Sequence, residues 1–208
     1  MSLRIIALLA LLLVSTGAPR AARAQDPRLD DRLDPRTRAL VVAVMDSARA
    51  QQLPTEPIAR KALEGAARGA DPARILWAVR GLAIRLRTAR GALGARSTEA
   101  ELVAGAAALY IGMDPGDLSR LRRAYPTESV ALPLVTLADL VERGVPPTVA
   151  VSAIWALADA RMPGSAYTAL RQSVIQDIRS GASPASAAQT RLQGLLGGGP
   201  ARAALPPP

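Results

Sequence analysis

The chain of 208 residues carries 26 basic and 17 acidic side chains, has neither cysteine nor histidine, and is 50% hydrophobic but only 2% aromatic, with no phenylalanine. The absent cysteines exclude disulfides and any disulfide-linked partner, and the absent histidines remove the commonest metal ligand and the commonest general base. Without many large rings, the core must be built from Leu, Val, Ile and Ala, which favours close helix packing over wide cavities.

Residues 1–24 read as a secretory signal peptide. Arg4 supplies the positive start, residues 5–14 are ten apolar residues in a row, and residues 15–19 are small and turn-prone. Ala22-Arg23-Ala24 then matches the small-x-small pattern of a cleavage site. Ten apolar residues fall short of the roughly 20 that a membrane-spanning helix needs. Cleavage after Ala24 is expected, followed by export to the periplasm or the outside of a bacterial cell. Removing Arg4, Arg20 and Arg23 leaves 23 bases against 17 acids, a net charge of +6, and all but one base (Lys61) are arginine. Export and the lack of an aromatic stacking platform among the arginines both argue against nucleic acid as the partner.

Residues 25–35 are charged, proline-marked and without apolar period, and so are expected to form a flexible leader. At the other end, residues 197–208 form a Gly/Pro tail expected to be disordered. Residues 36–196 between them read as one all-α domain of αα-hairpin repeats, with about nine helices.

Gly-x-x-Pro marks the hairpin turns, at Gly69/Pro72, Gly112/Pro115, Gly144/Pro147 and Gly181/Pro184. Glycine just past a helix adopts the left-handed conformation that ends it. Proline in the first turn of the next helix gives up an N–H that had no partner. Asp71, Asp114 and Ser183 precede three of the prolines, where an N-cap belongs. A degenerate fifth turn is expected at residues 53–57. A helix should run from Pro72 to about Leu93, a short one from Pro115 to near Tyr125, and Thr98-Glu99-Ala100-Glu101 fits a capping box. Residues 130–157 are apolar nearly all round and should be central, whereas the more polar last hairpin should cap the array.

The marker prolines stand 43, 32 and 37 residues apart. In that period the chain resembles short α-solenoids of the tetratricopeptide or HEAT kind, and the same hairpins would equally build a closed helical bundle.

Phosphate-binding, zinc-protease and nucleophile-elbow patterns are absent. No catalytic residue, cofactor or metal site is therefore expected. Glu128-Ser129 resembles the catalytic pair of lytic transglycosylases, but that family's downstream Gly-Leu-Met-Gln segment is missing. Thr127 and Glu128 are instead expected at a helix start. Asp139/Glu142 and Asp30/Asp31/Asp34 are expected to be solvated.

Arginines form the most suggestive cluster. Arg74, Arg80, Arg85, Arg87 and Arg90, with Arg96 beyond, carry no acid among them, and Arg120, Arg122 and Arg123 add a second group. The first set could form a ridge for an anionic partner. Trp77, Trp155, Tyr110, Tyr125 and Tyr167 are each expected to be packing anchors. The function expected is that of an exported, non-catalytic interaction or scaffold protein whose partner is another envelope or secreted protein. The alternatives are an anionic membrane surface bound through the arginine ridge, and a cell-wall enzyme.

Overall fold

A computed structural model of the chain describes residues 26–197. The signal peptide assigned to residues 1–24, and residues 198–208 of the tail, lie outside the described residues. Ten helices and no strand occur among the residues described. They are α1 (Pro27–Asp30), α2 (Pro35–Ala50), α3 (Glu56–Ala67), α4 (Pro72–Leu93), α5 (Glu99–Tyr110), α6 (Pro115–Ala124), α7 (Ala131–Glu142), α8 (Pro147–Asp159), α9 (Gly164–Arg179) and α10 (Pro184–Gly197).

All four Gly-x-x-Pro elements join a helix end to a helix start, and the hydrogen bonds show why. At Gly112 (φ 100°) the glycine N–H donates to Leu109 O at 3.3 Å, and the next N–H, of Met113, reaches back to Ala108 O at 3.0 Å. This paired closure satisfies carbonyls left over at the helix end. It recurs at Gly69, Gly144 and Gly181. The residue after the glycine is apolar each time (Ala70, Met113, Val145, Ala182), and Met113 and Val145 are buried.

Two further turns close in the same way without glycine. Gln52 (φ 55°) and Arg161 (φ 49°) take the left-handed position, with Leu53 N donating to Ala48 O and Met162 N to Leu157 O. The first is the degenerate turn expected at residues 53–57. The second, between α8 and α9, has no glycine to announce it.

Three of the expected helix starts follow the expected chemistry, and Asp114 does not. Asp71 Oδ1 accepts from Arg74 N at 2.9 Å, and Ser183 Oγ accepts from Ser186 N at 3.3 Å. The Thr98/Glu101 capping box is complete, with both reciprocal bonds present. Asp114 has N-cap backbone geometry but makes no side-chain cap bond, for which nothing in the structure gives a reason.

The helices form two layers. One holds α2, α4, α6, α8 and α10 in succession; the other holds α1 with α3, and α5, α7 and α9. Among the described residues, every extensive contact joins helices one or two apart in chain order. Helix α4 is the hub, packing against α2, α3, α5 and α6. Small residues bring α5 onto it: a Cβ at Gly105 would lie 3.1 Å from Ala89 Cβ and 3.2 Å from Leu93 Cδ1, tighter than ordinary van der Waals contact by a few tenths of an ångström.

The leader is not the unpacked segment that its charge pattern suggests. Residues 27–30 form α1, and Leu29 and Leu33 are buried in the core. Leucines four apart share one side of a turn, here closed by Leu33 N donating to Leu29 O at 3.1 Å. Arg28 bridges to Glu56 at 2.7 Å, and Arg38 bridges to Asp30 at 2.9 Å.

Candidate functional site

The arginines of α4 divide according to their direction around the helix. Arg90 turns inward as a structural clamp. Its Nη1 donates to Ala95 O at 2.8 Å and to Ser97 O at 2.9 Å, and its Nη2 donates to Gln52 O at 3.0 Å. One guanidinium thus ties the α4–α5 loop to the α2–α3 turn. Arg74, Arg80 and Arg87 stay exposed, with Arg87 Nε donating to Gln51 Oε1 at 2.6 Å. Arg96 is exposed in the loop that follows.

Arg85 lies between these cases. Its guanidinium carbon stands 4.9 Å from the centre of the Tyr110 ring, and its Nη1 would be 3.2 Å from a Cβ at Gly81. The side chain therefore folds back across the glycine to reach the tyrosine. Its Nε is buried with no hydrogen-bond partner. This desolvation lowers the guanidinium pKa, with the Tyr110 hydroxyl acting in the opposite direction.

Trp77 and Tyr110 depart most from expectation. Neither is a packing anchor: Trp77 is 74% exposed and Tyr110 70%, and Ile84 on α4 is 57% exposed. Arg74, Trp77, Arg80, Ile84 and Arg87 follow one another at intervals of three or four residues, the spacing of a single helix face. That face lies opposite buried Ile75, Val79 and Leu86. Around it Arg85 carries the surface across to Tyr110 on α5. The result is a projecting apolar stripe set among arginines. The sequence already held the signal, since Trp77 and Ile84 fall seven residues apart and off the core stripe. Their bulk and the scarcity of rings pointed toward the core instead.

Trp155, Tyr125 and Tyr167 are buried as expected. The Tyr125 and Tyr167 hydroxyls lie 2.9 Å apart, and Tyr125 also donates to Met162 O at 3.1 Å. Burial, then the bond to Tyr125, pushes the Tyr167 hydroxyl pKa strongly up.

Most of the second arginine group is occupied structurally. Arg120 stacks 4.0 Å from the Trp155 ring centre and bridges to Asp159 at 2.8 Å. Arg122 pairs with buried Glu101, whose Oε1 also accepts from Val130 N at 3.0 Å and whose Oε2 accepts from Thr98 N at 2.9 Å. Burial alone would raise this carboxyl, but the two backbone donors and the guanidinium outweigh it and hold its pKa below the usual range. Glu101 thus completes a cap and also locks α5 to α6 and to the start of α7. Sequence reading found its capping role but not the other two bonds.

Glu128 is exposed in the bend between α6 and α7, and its backbone carbonyl accepts from Arg122. Thr127 does not cap a helix, because α7 begins only at Ala131. Asp139 pairs with Arg171 at 2.8 Å, and Asp30 and Asp34 are engaged by Arg38 and by the start of α2. No group of three or more carboxylates is placed to hold a metal among the described residues. A small open cleft of about 210 Å³ lies between α8 and α10, lined by Val149, Ser152, Gln189 and Leu192 among others.

No protein-family model, curated protein or solved structure matches the chain.

Proposed function

We propose that this chain is an exported bacterial helical-repeat protein, a short α-solenoid, that works by docking on another component of the cell envelope rather than by catalysis. The observation that carries it is the projecting stripe of Trp77 and Ile84 among Arg74, Arg80 and Arg87, continued by Tyr110. Exposing three large apolar side chains in one region forgoes the stabilisation their burial would bring, and such patches mark interaction sites. The packing of helices one or two apart in chain order and the recurring closure of their turns support the repeat assignment. The order of charge, apolar run and small-x-small pattern in residues 1–24 supports export.

A photo-crosslinking side chain at Trp77 tests the docking role in living cells, with Ser186 on α10 as the exposed control position. A discrete adduct at 77 and none at 186 is expected. Equal or absent labelling at both positions would refute docking through this face. Export is tested by N-terminal sequencing of the processed protein, expected to begin at Gln25; a mature chain that still begins at Met1 would refute it.

A further inference from the structure

We infer that the exposed face of α4, together with Tyr110, lies flat on an anionic phospholipid bilayer, the arginines engaging lipid phosphates and the rings entering at headgroup level. The inference rests on the docking role above and names its partner.

Charge complementarity selects the occupant. Arg74, Arg80, Arg85 and Arg87 place four cations along one helix, and α4 carries no acid at all after its N-cap Asp71. An interface between two proteins commonly buries roughly 800 Å² per partner, with a polar, charged rim around a packed apolar centre. Here cations of one sign flank single projecting apolar residues on one helix face, so attraction to lipid phosphates and shallow insertion of apolar side chains can act together at a membrane interface. Trp and Tyr are the side chains that favour this depth, since each joins an apolar ring to a polar edge. Arginine suits the phosphate, because its planar fork donates two parallel hydrogen bonds. The stack over Tyr110, and the fold of the side chain back across Gly81, keep Arg85 close to the same surface. No helix among the described residues is long and apolar enough to cross a membrane, so contact by α4 would be lateral.

The experiment is flotation of the purified protein with two kinds of vesicle, phosphatidylcholine alone and phosphatidylcholine mixed with phosphatidylglycerol. Neutral vesicles control for contact by any other part of the chain. Binding to the anionic vesicles only is expected, falling steeply as salt is raised past the point where the Debye length drops below about 8 Å. Trp77 emission should shift to the blue on binding, and Trp77→Ser should remove that shift while buried Trp155 still reports the fold. Arg80→Ala combined with Arg87→Ala should weaken binding about 25-fold, roughly five-fold for each charge near an anionic surface. Both changes are at exposed positions, so unaltered thermal melting by circular dichroism verifies that the variants fold.

Absence of binding to anionic vesicles at low salt would overturn the inference, and so would binding that neither variant weakens. If vesicles do not bind but the crosslinker at 77 captures a protein, the partner is protein and docking stands. If neither occurs, both fall.

Discussion

Replacing Glu101 with alanine should be among the most damaging single changes in the described part of the chain. The residue is only 3% exposed, and its carboxylate accepts from Thr98 N, Val130 N and the Arg122 guanidinium. Truncation leaves the buried Val130 N–H without a partner, which costs about 1–3 kcal/mol. It also opens the capping box, at about 1 kcal/mol. Losing the carboxylate removes the ion partner of Arg122, whose Nε already lacks a partner, although its Nη1 still donates to the Tyr125 and Glu128 carbonyls and its 22% side-chain exposure lets water relieve part of the loss. Together these give about 3–5 kcal/mol, a large fraction of the 5–15 kcal/mol that holds an ordinary domain together. Glu101→Gln keeps one acceptor but turns an amide N–H₂ toward a donor, for about 1–3 kcal/mol. Urea unfolding followed by circular dichroism reads both values. Because the folded-state pKa of Glu101 lies below its unfolded value, its contribution is complete above the unfolded carboxyl pKa of about 4.3 and is lost as pH falls through the folded value. The stability gap between the native protein and Glu101→Gln should therefore narrow only in that acid range. A cost below about 1 kcal/mol for Glu101→Ala, or a gap that narrows on the alkaline side instead, would refute the assigned network.

Two further contrasts follow from the same reasoning. Gly112→Ala should destabilise by about 1–2 kcal/mol purely through its left-handed backbone, since no atom lies within 4 Å of the added methyl, whereas Gly91→Ala, also unobstructed but inside α4, should stabilise by about 0.5–1 kcal/mol. Equal signs in thermal melts would refute that account. Arg90→Ala should cost about 1–2 kcal/mol by leaving the buried Ser97 carbonyl without its donor and untying the exposed carbonyls of Gln52 and Ala95, while Arg74→Ala should change stability by less than about 0.5 kcal/mol; chemical denaturation giving similar values for both would show that Arg90 is no clamp.

Much of the fold was legible because its rules are local. A glycine that accepts positive φ, an apolar residue after it and a proline to begin the next helix need only a few neighbouring residues to act, and the four Gly-x-x-Pro turns lie where their spacing put them. The capping box and the limits of α4 are of the same kind. The Arg161 turn was not legible, because a non-glycine residue enters the left-handed region only when the flanking helices hold it there. Packing of the leader was hidden for a similar reason: two leucines make no periodic signal until Leu29 and Leu33 meet a core already formed.

The sequence by itself determined that the described chain is helical and where most helices stop, since those outcomes depend on backbone sterics and hydrogen bonds over a few residues. Only the tertiary structure decided which helices pack on which, that Arg90 faces inward while Arg74, Arg80 and Arg87 face outward, and that Trp77 and Tyr110 stand in solvent. Those outcomes depend on which neighbours cover each face of a helix, and in this chain α2, α3, α5 and α6 surround α4 on every side but the one carrying Trp77 and Ile84. Hydrophobicity told which residues favour burial, while the number of packed neighbours settled which of them obtained it.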